Sequence, residues 1–95
     1  MTQLIVKSPS ASNVRPLIQA ALDHEARVLQ IGIQKTTRRL QDFERRFELE
    51  SRKFYQDFQA GTMGDDMEYI KWAGEYETLL QLQEDYAEIK GIQVC

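Results

Sequence analysis

The sequence predicts an all-α chain: a long helical hairpin with a short N-terminal strand, paired into a dimeric bundle. Three observations carry this. An apolar stripe at spacings of three, four and seven runs from Ile18 to Phe47. Gly61, Thr62, Met63 and Gly64 then break the pattern, and a second helical pattern returns toward Gly91. The chain has 95 residues, 42 % hydrophobic and 28 % charged, which is one small globular domain spanning 1–95.

In chain order, residues 2–7 (TQLIVK) are rich in β-branched side chains and read as a strand. No second strand is visible, so this one is expected to lie on the helices or to pair with its equivalent in another copy. Residues 8–12 read as a loop. Asn13 is expected to cap a helix over 14–47, with Pro16 in its first turn. Its stripe is Ile18, Leu22, Leu29, Ile33, Thr36, Leu40, Phe43 and Phe47. Arg38–Asp42, Asp42–Arg46 and Glu48–Arg52 are opposite charges at i,i+4 and fit a solvated face. Gly32 marks a kink or a close helix approach.

Ser51 is expected to cap a second helix over 52–60, which Gly61 ends. Asp65 or Asp66 caps a third over 66–89, stopped by Gly91. Its apolar side reads Tyr69, Trp72, Ala73, Tyr76, Leu79, Leu80, Leu82, Tyr86 and Ile89. At about 1.5 Å per residue the first helix is roughly 50 Å long, and the other two together match it. Each helix of such a hairpin has two apolar sides to hide, so self-association is expected.

Charge is unevenly distributed. Residues 1–53 carry a net +4 and residues 54–95 a net −7. Either the two halves neutralise each other as antiparallel neighbours, or the acidic half keeps a face for a basic partner. The single cysteine, Cys95, excludes an internal disulfide and fits the cytoplasm. The apolar run Leu4-Ile5-Val6 is too short for a signal peptide core, and no stretch is long enough to span a membrane.

Constellations for chemistry are missing. His24 is the only histidine, and a Glu-x-x-His metal pair would need Glu where Ala21 stands. Gly64-Asp65-Asp66-Met67-Glu68 lacks the alternating acids of a calcium loop. Gly61 and Gly64 lack the Lys-Ser/Thr of a phosphate loop. No serine or threonine has a histidine at a recognisable spacing. The chain is read as non-enzymatic, without metal or cofactor.

Two surfaces stand out. Lys35, Arg38, Arg39, Arg45, Arg46, Arg52 and Lys53 form the densest basic stretch, either a salt-bridged helix face or a nucleic-acid face made of the first five. Trp72, Ala73 and Gly74 set a large aromatic beside two small residues in mid-helix. Gly74 costs helix stability, so something should need the space it leaves. That is either close packing in the chain's own core or a partner-binding surface made of Tyr69, Trp72, Glu75, Tyr76, Glu77, Glu84 and Asp85.

Leu4-Ile5-Val6-Lys7 followed by a helix resembles the opening of ribbon-helix-helix repressors. Their first helix turns after about a dozen residues, whereas Asp23-His24-Glu25-Ala26-Arg27 continues it here. From Leu40 to Gly91, just over half the chain, the sequence resembles a group of small bacterial and archaeal helical proteins. The carrying motifs are Phe43-Glu44-Arg45-Arg46-Phe47, Phe54 to Gly61 (FYQDFQAG), Gly64-Asp65-Asp66 and Trp72-Ala73-Gly74-Glu75-Tyr76-Glu77. Lys71 departs from the acidic residue of that pattern. Members are often encoded beside a second small protein of toxin type, so the resemblance implies an antitoxin-like role. The expected function is a non-enzymatic interaction module. Its acidic third helix, including Glu68, would cover a basic site on a small protein encoded by the neighbouring gene. The alternatives are a DNA-binding regulator using a paired strand and the basic face, or a structural homo-oligomer.

Overall fold

Three helices account for the fold, in the order the apolar periodicity sets. The computed structural model describes residues 2–4 and 11–94, with side-chain environments from 14 to 92. Helix α1 is Ala11–Phe47, α2 is Ser51–Gln59 and α3 is Met67–Lys90. α2 and α3 fold back along α1, which makes a body 58 × 22 × 18 Å. The radius of gyration is 18.5 Å, against about 12 Å for a compact chain of this length. The all-α hairpin is therefore elongated. No helix is long and apolar enough to cross a membrane.

α1 begins three residues before the expected start. Asn13 thus lies inside it rather than capping it, and Pro16 falls beyond the first turn. The stripe points where the spacing put it. Leu29, Thr36 and Leu40 are buried, together with Ala26, and Ile18, Leu22, Ile33, Phe43 and Phe47 are half-buried. Gly32 marks a close approach: a Cβ there would meet Leu82 Cδ1 at 3.3 Å.

α1 ends because Glu48 adopts φ 52°, the left-handed region. The chain then turns within three residues. Glu50 occupies the cap position of α2 without a side-chain cap bond. Ser51, the expected cap, is instead the first helical residue. Its N–H donates to Glu44 Oε2 at 2.8 Å. A side chain from the preceding helix thus satisfies one of the free amides of α2. At the other end of α2 the N–H of Thr62 donates to Asp57 O and that of Gly61 to Phe58 O, both at 3.1 Å. Gly61, at φ 80°, supplies the left-handed residue of this Schellman closure. α3 starts where Asp66 accepts from the N–H of Glu68 at 2.8 Å.

The core sits at the turn end, where all three helices meet. Trp72 and Phe54 are fully buried, with Leu40 and Ala73 beside them. The Trp72 ring lies 3.8 Å from Phe54 at 3° and 5.5 Å from Phe43 at 6°. Its Nε1–H donates to Ser51 Oγ at 2.9 Å. One residue of α3 therefore touches both α1 and α2. Beyond this core, α1 and α3 continue alone as a two-helix section.

The chain's two ends meet in a three-residue ladder. Thr2–Leu4 (β1) pairs in parallel with Ile92–Val94 (β2), Thr2 opposite Ile92. The strand expected to lie on the helices or to pair with a second copy thus finds its partner in the apolar tail, for which no strand is expected. Residues 5–7 of the expected strand, 8–10 of the expected loop and Cys95 lie outside the described residues. Ala11 and Ser12 of that loop are helical.

Two substitutions check this account. Trp72→Ala should cost about 3–5 kcal/mol, while Ser51→Ala, which strands a buried indole N–H, should cost about 1–3 kcal/mol. Urea unfolding curves that rank them the other way would sink the reading of Trp72 as the keystone. Glu48→Gly relieves the left-handed residue and should raise stability by about 0.5–1 kcal/mol. A lower melting temperature would contradict it.

Candidate protein-interaction surface

The aromatic cluster that stands out in the sequence belongs to the core. Trp72 is fully buried, so it presents no surface to a partner. Tyr69 is half-buried against Phe47, with ring centroids 5.5 Å apart, and against Phe54 at 5.7 Å. Tyr76 is half-buried against Tyr55 at 5.0 Å. The Tyr55 phenol is held above its ordinary range, first by burial and then by the Glu77 carboxylate.

Gly74 departs from expectation in the opposite direction. No atom lies within 4 Å of where its Cβ would be, and the residue is exposed. Close packing within the chain does not explain this glycine. It instead opens a groove of about 570 Å³ between α1 and α3, whose walls include Arg39, Phe43, Arg46, Lys71 and Thr78.

The acidic residues divide into two sets. Glu75 faces Arg39 at 3.6 Å, and Glu68 pairs with Arg46 at 3.0 Å. Both bridges join α3 to α1, so neutralisation between the halves occurs near the core. The Oε2 of Glu75 is buried without a hydrogen-bond partner. Glu77, Glu84 and Asp85 are exposed, as is Glu88, which is not among the expected partner-binding residues. None of these four is in an ion pair among the described residues.

Ile70, Glu77 and Glu84 recur every seven residues, with Leu80 and Glu88 one turn from their neighbours. They share one side of α3. On that side Ile70 is 46 % and Leu80 44 % exposed. The apolar side expected for the third helix includes Leu80, which is instead exposed. α3 carries apolar residues around much of its circumference, so periodicity alone did not assign Leu80 to a side. The signal that could have found this face is the seven-residue recurrence of acids beside Ile70 and Leu80.

A search of family models, of curated proteins and of solved structures finds no match to this chain.

The basic stretch is exposed but largely engaged. Arg45 pairs with Asp42, and Arg46 lies over the rings of Phe43 and Phe47 while bridging to Glu68. With Arg39 on Glu75, only Lys35 and Arg38 of the five have no carboxylate partner among the described residues. The i,i+4 pairs expected for Arg38–Asp42, Asp42–Arg46 and Glu48–Arg52 are not formed. The cross-helix and i,i+3 geometries take their place, and Lys53 pairs with Asp57 at 3.3 Å. Among the described residues no group of three or more His, Cys, Asp or Glu is placed to hold a metal ion.

Gly74→Ala tests whether anything inside the chain needs the open space. The substitution should stabilise the free protein by about 0.5–1 kcal/mol, read by thermal unfolding. Destabilisation would show that the glycine serves the chain's own packing.

Proposed function

We propose that this chain is a non-enzymatic protein-interaction module of the cytoplasm that uses the outer face of α3 to hold a small basic protein. The observation that carries the reading is the pairing of exposed Ile70 and Leu80 with Glu77, Glu84 and Glu88, carboxylates in no ion pair among the described residues. Apolar contact would supply affinity, and the unpaired acids would supply orientation and a fast encounter. Gly74, at the edge of this face, leaves room for close approach of a partner's backbone.

The resemblance of the segment from Leu40 to Gly91 gives the partner its character. It would be a toxin-type protein encoded next to this chain, with a basic site that acts on nucleic acid. Occlusion of that site by α3 is the mechanism. Asp85 flanks the contact, while Trp72, Tyr69 and Tyr76 support α3 from beneath instead of touching the partner. The reading includes self-association of the chain. Direct DNA binding fares worse, because Arg39, Arg45 and Arg46 are already engaged within the fold.

Co-purification with the neighbouring gene product tests the proposal. The two proteins should elute as one complex whose affinity falls as salt rises. Replacing Glu77 and Glu84 with Lys together should weaken binding at least about tenfold, roughly 1.4 kcal/mol, without loss of helicity. Separate peaks for the wild-type pair would end the reading.

A further inference from the structure

The half of α1 beyond the three-helix core carries apolar residues on two sides. One side is Leu22, Ala26, Leu29 and Ile33, which are buried or half-buried. The other is Leu17, Ala21, His24, Val28 and Ile31, all exposed. Leu17 is 70 %, Val28 46 % and Ile31 51 % exposed. The spacing along this second side is four, three, four, three. That is a heptad seam, and straight-helix geometry keeps it on one face over this distance. No residue on the line from Leu17 to Ile31 carries a formal charge with His24 neutral. Asp23, Glu25 and Arg27 lie to its flanks.

We propose that this seam is the self-association interface of the chain, and that a second copy covers it antiparallel about a two-fold axis at His24. The proposal rests on the self-association included in the preceding reading and gives it a place and a direction. Reversal about His24 sets each residue of one copy level with the residue equally far on the other side of His24 in the second copy. Leu17 therefore meets Ile31 of the second copy, and Ala21 comes within one residue of level with Val28, a small residue beside a larger one.

Charge selects the direction. The same line continues to Lys35 and Arg38. A parallel pair would set each against its own copy, which is unfavourable. In the antiparallel pair Arg38 falls beyond the first helical residue of the second copy, Ala11. Lys35 comes level with Asn13 instead of another lysine.

Area agrees with a reversible dimer. Equal reach on both sides of His24 runs from residue 11 to residue 37, about 40 Å of helix. One third of the circumference of a helix about 10–12 Å across gives on the order of 500 Å² per copy. The two copies together reach about 1,000 Å², the lower edge for a specific interface. The seam lies on α1, away from the acidic face of α3, so a dimer would leave both copies of that face free.

The test is light scattering of the isolated full chain across a dilution series, with circular dichroism as the check on folding. The wild-type protein should approach twice the chain mass when concentrated and dissociate on dilution. Ile31→Glu should raise the dissociation constant at least about tenfold with helicity unchanged. Leu80→Glu, on α3, should leave it unchanged. Direction is read by disulfide trapping in a Cys95→Ser background. Leu17→Cys copies mixed with Ile31→Cys copies should cross-link to each other, and Leu17→Cys copies alone should not. A wild-type chain that stays monomeric when concentrated overturns self-association and the seam with it, leaving partner binding by α3 untouched. A dimer that survives Ile31→Glu or is dissolved by Leu80→Glu overturns the seam alone. Cross-linking between two Leu17→Cys copies overturns the antiparallel pairing.

Discussion

The indole of Trp72 is the contact on which the rest depends. A chain this short buries only a modest fraction of its surface, so it has material for one dense core. That core forms where three helices can surround one large side chain. Phe54 stacks on one face of the indole network, Phe43 and Phe47 come from α1, and the ring nitrogen finds its acceptor in Ser51. The interaction fixes the position of α2 against the other two helices. It also orients α3 along its length, because a helix held by a flat ring at one turn is restricted in rotation about its axis. The direction of the Ile70–Glu84 face follows from that restriction.

Electrostatics refine this arrangement without driving it. The bridges from Arg39 to Glu75 and from Arg46 to Glu68 sit on partly exposed side chains, where ion pairs contribute little to stability. Their effect is on registry: they fix which turn of α1 lies opposite which turn of α3. They also use up the cations nearest the core, which leaves the carboxylates further along α3 without neutralising neighbours. The same two bridges thus engage Arg39 and Arg46 of the basic stretch and leave the outer carboxylates of α3 open.

Much of the fold was legible because helical periodicity is a direct record of burial on a helix with one partner. The stripe from Ile18 to Phe47 is such a record, as are the closure at Gly61 and the start at Asp66. The sequence was silent where two physical solutions fit the same residue. Ser51 satisfies the rule for a cap, yet Glu44 takes over that task for the adjoining amide and frees the hydroxyl for the indole. Trp72, Tyr69 and Tyr76 suit an interface as well as a core, and only the arrival of α2 decides between them. Gly74 signals that space is needed but not on which side of the helix. Glu48 gives no warning of its left-handed backbone, since residue preference there is overruled by the short connection. The candidate surface was half legible: Glu77, Glu84 and Asp85 stood out by charge, while Ile70 and Leu80 were hidden among the apolar residues around α3.

The placement of the core at one end has a consequence for how the molecule moves. From Leu80 to Lys90 is 10 residues, about 15 Å of helix, and over this distance α1 is the one helix beside α3 among the described residues. Each layer of a two-helix section is held by few neighbours, so the cost of opening should decline with distance from the indole. Amide protection would then grade along the rod, highest around Leu40 and Trp72 and lowest near Leu22 and Ile89. The outer end of the acidic face, at Glu84 and Glu88, and the Leu17–Ile31 seam both lie toward the more easily opened part. Whatever settles on either one would gain contacts and would also suppress fraying there, so a ligand on one helix would tighten the other through shared helix order, without any change in the average shape.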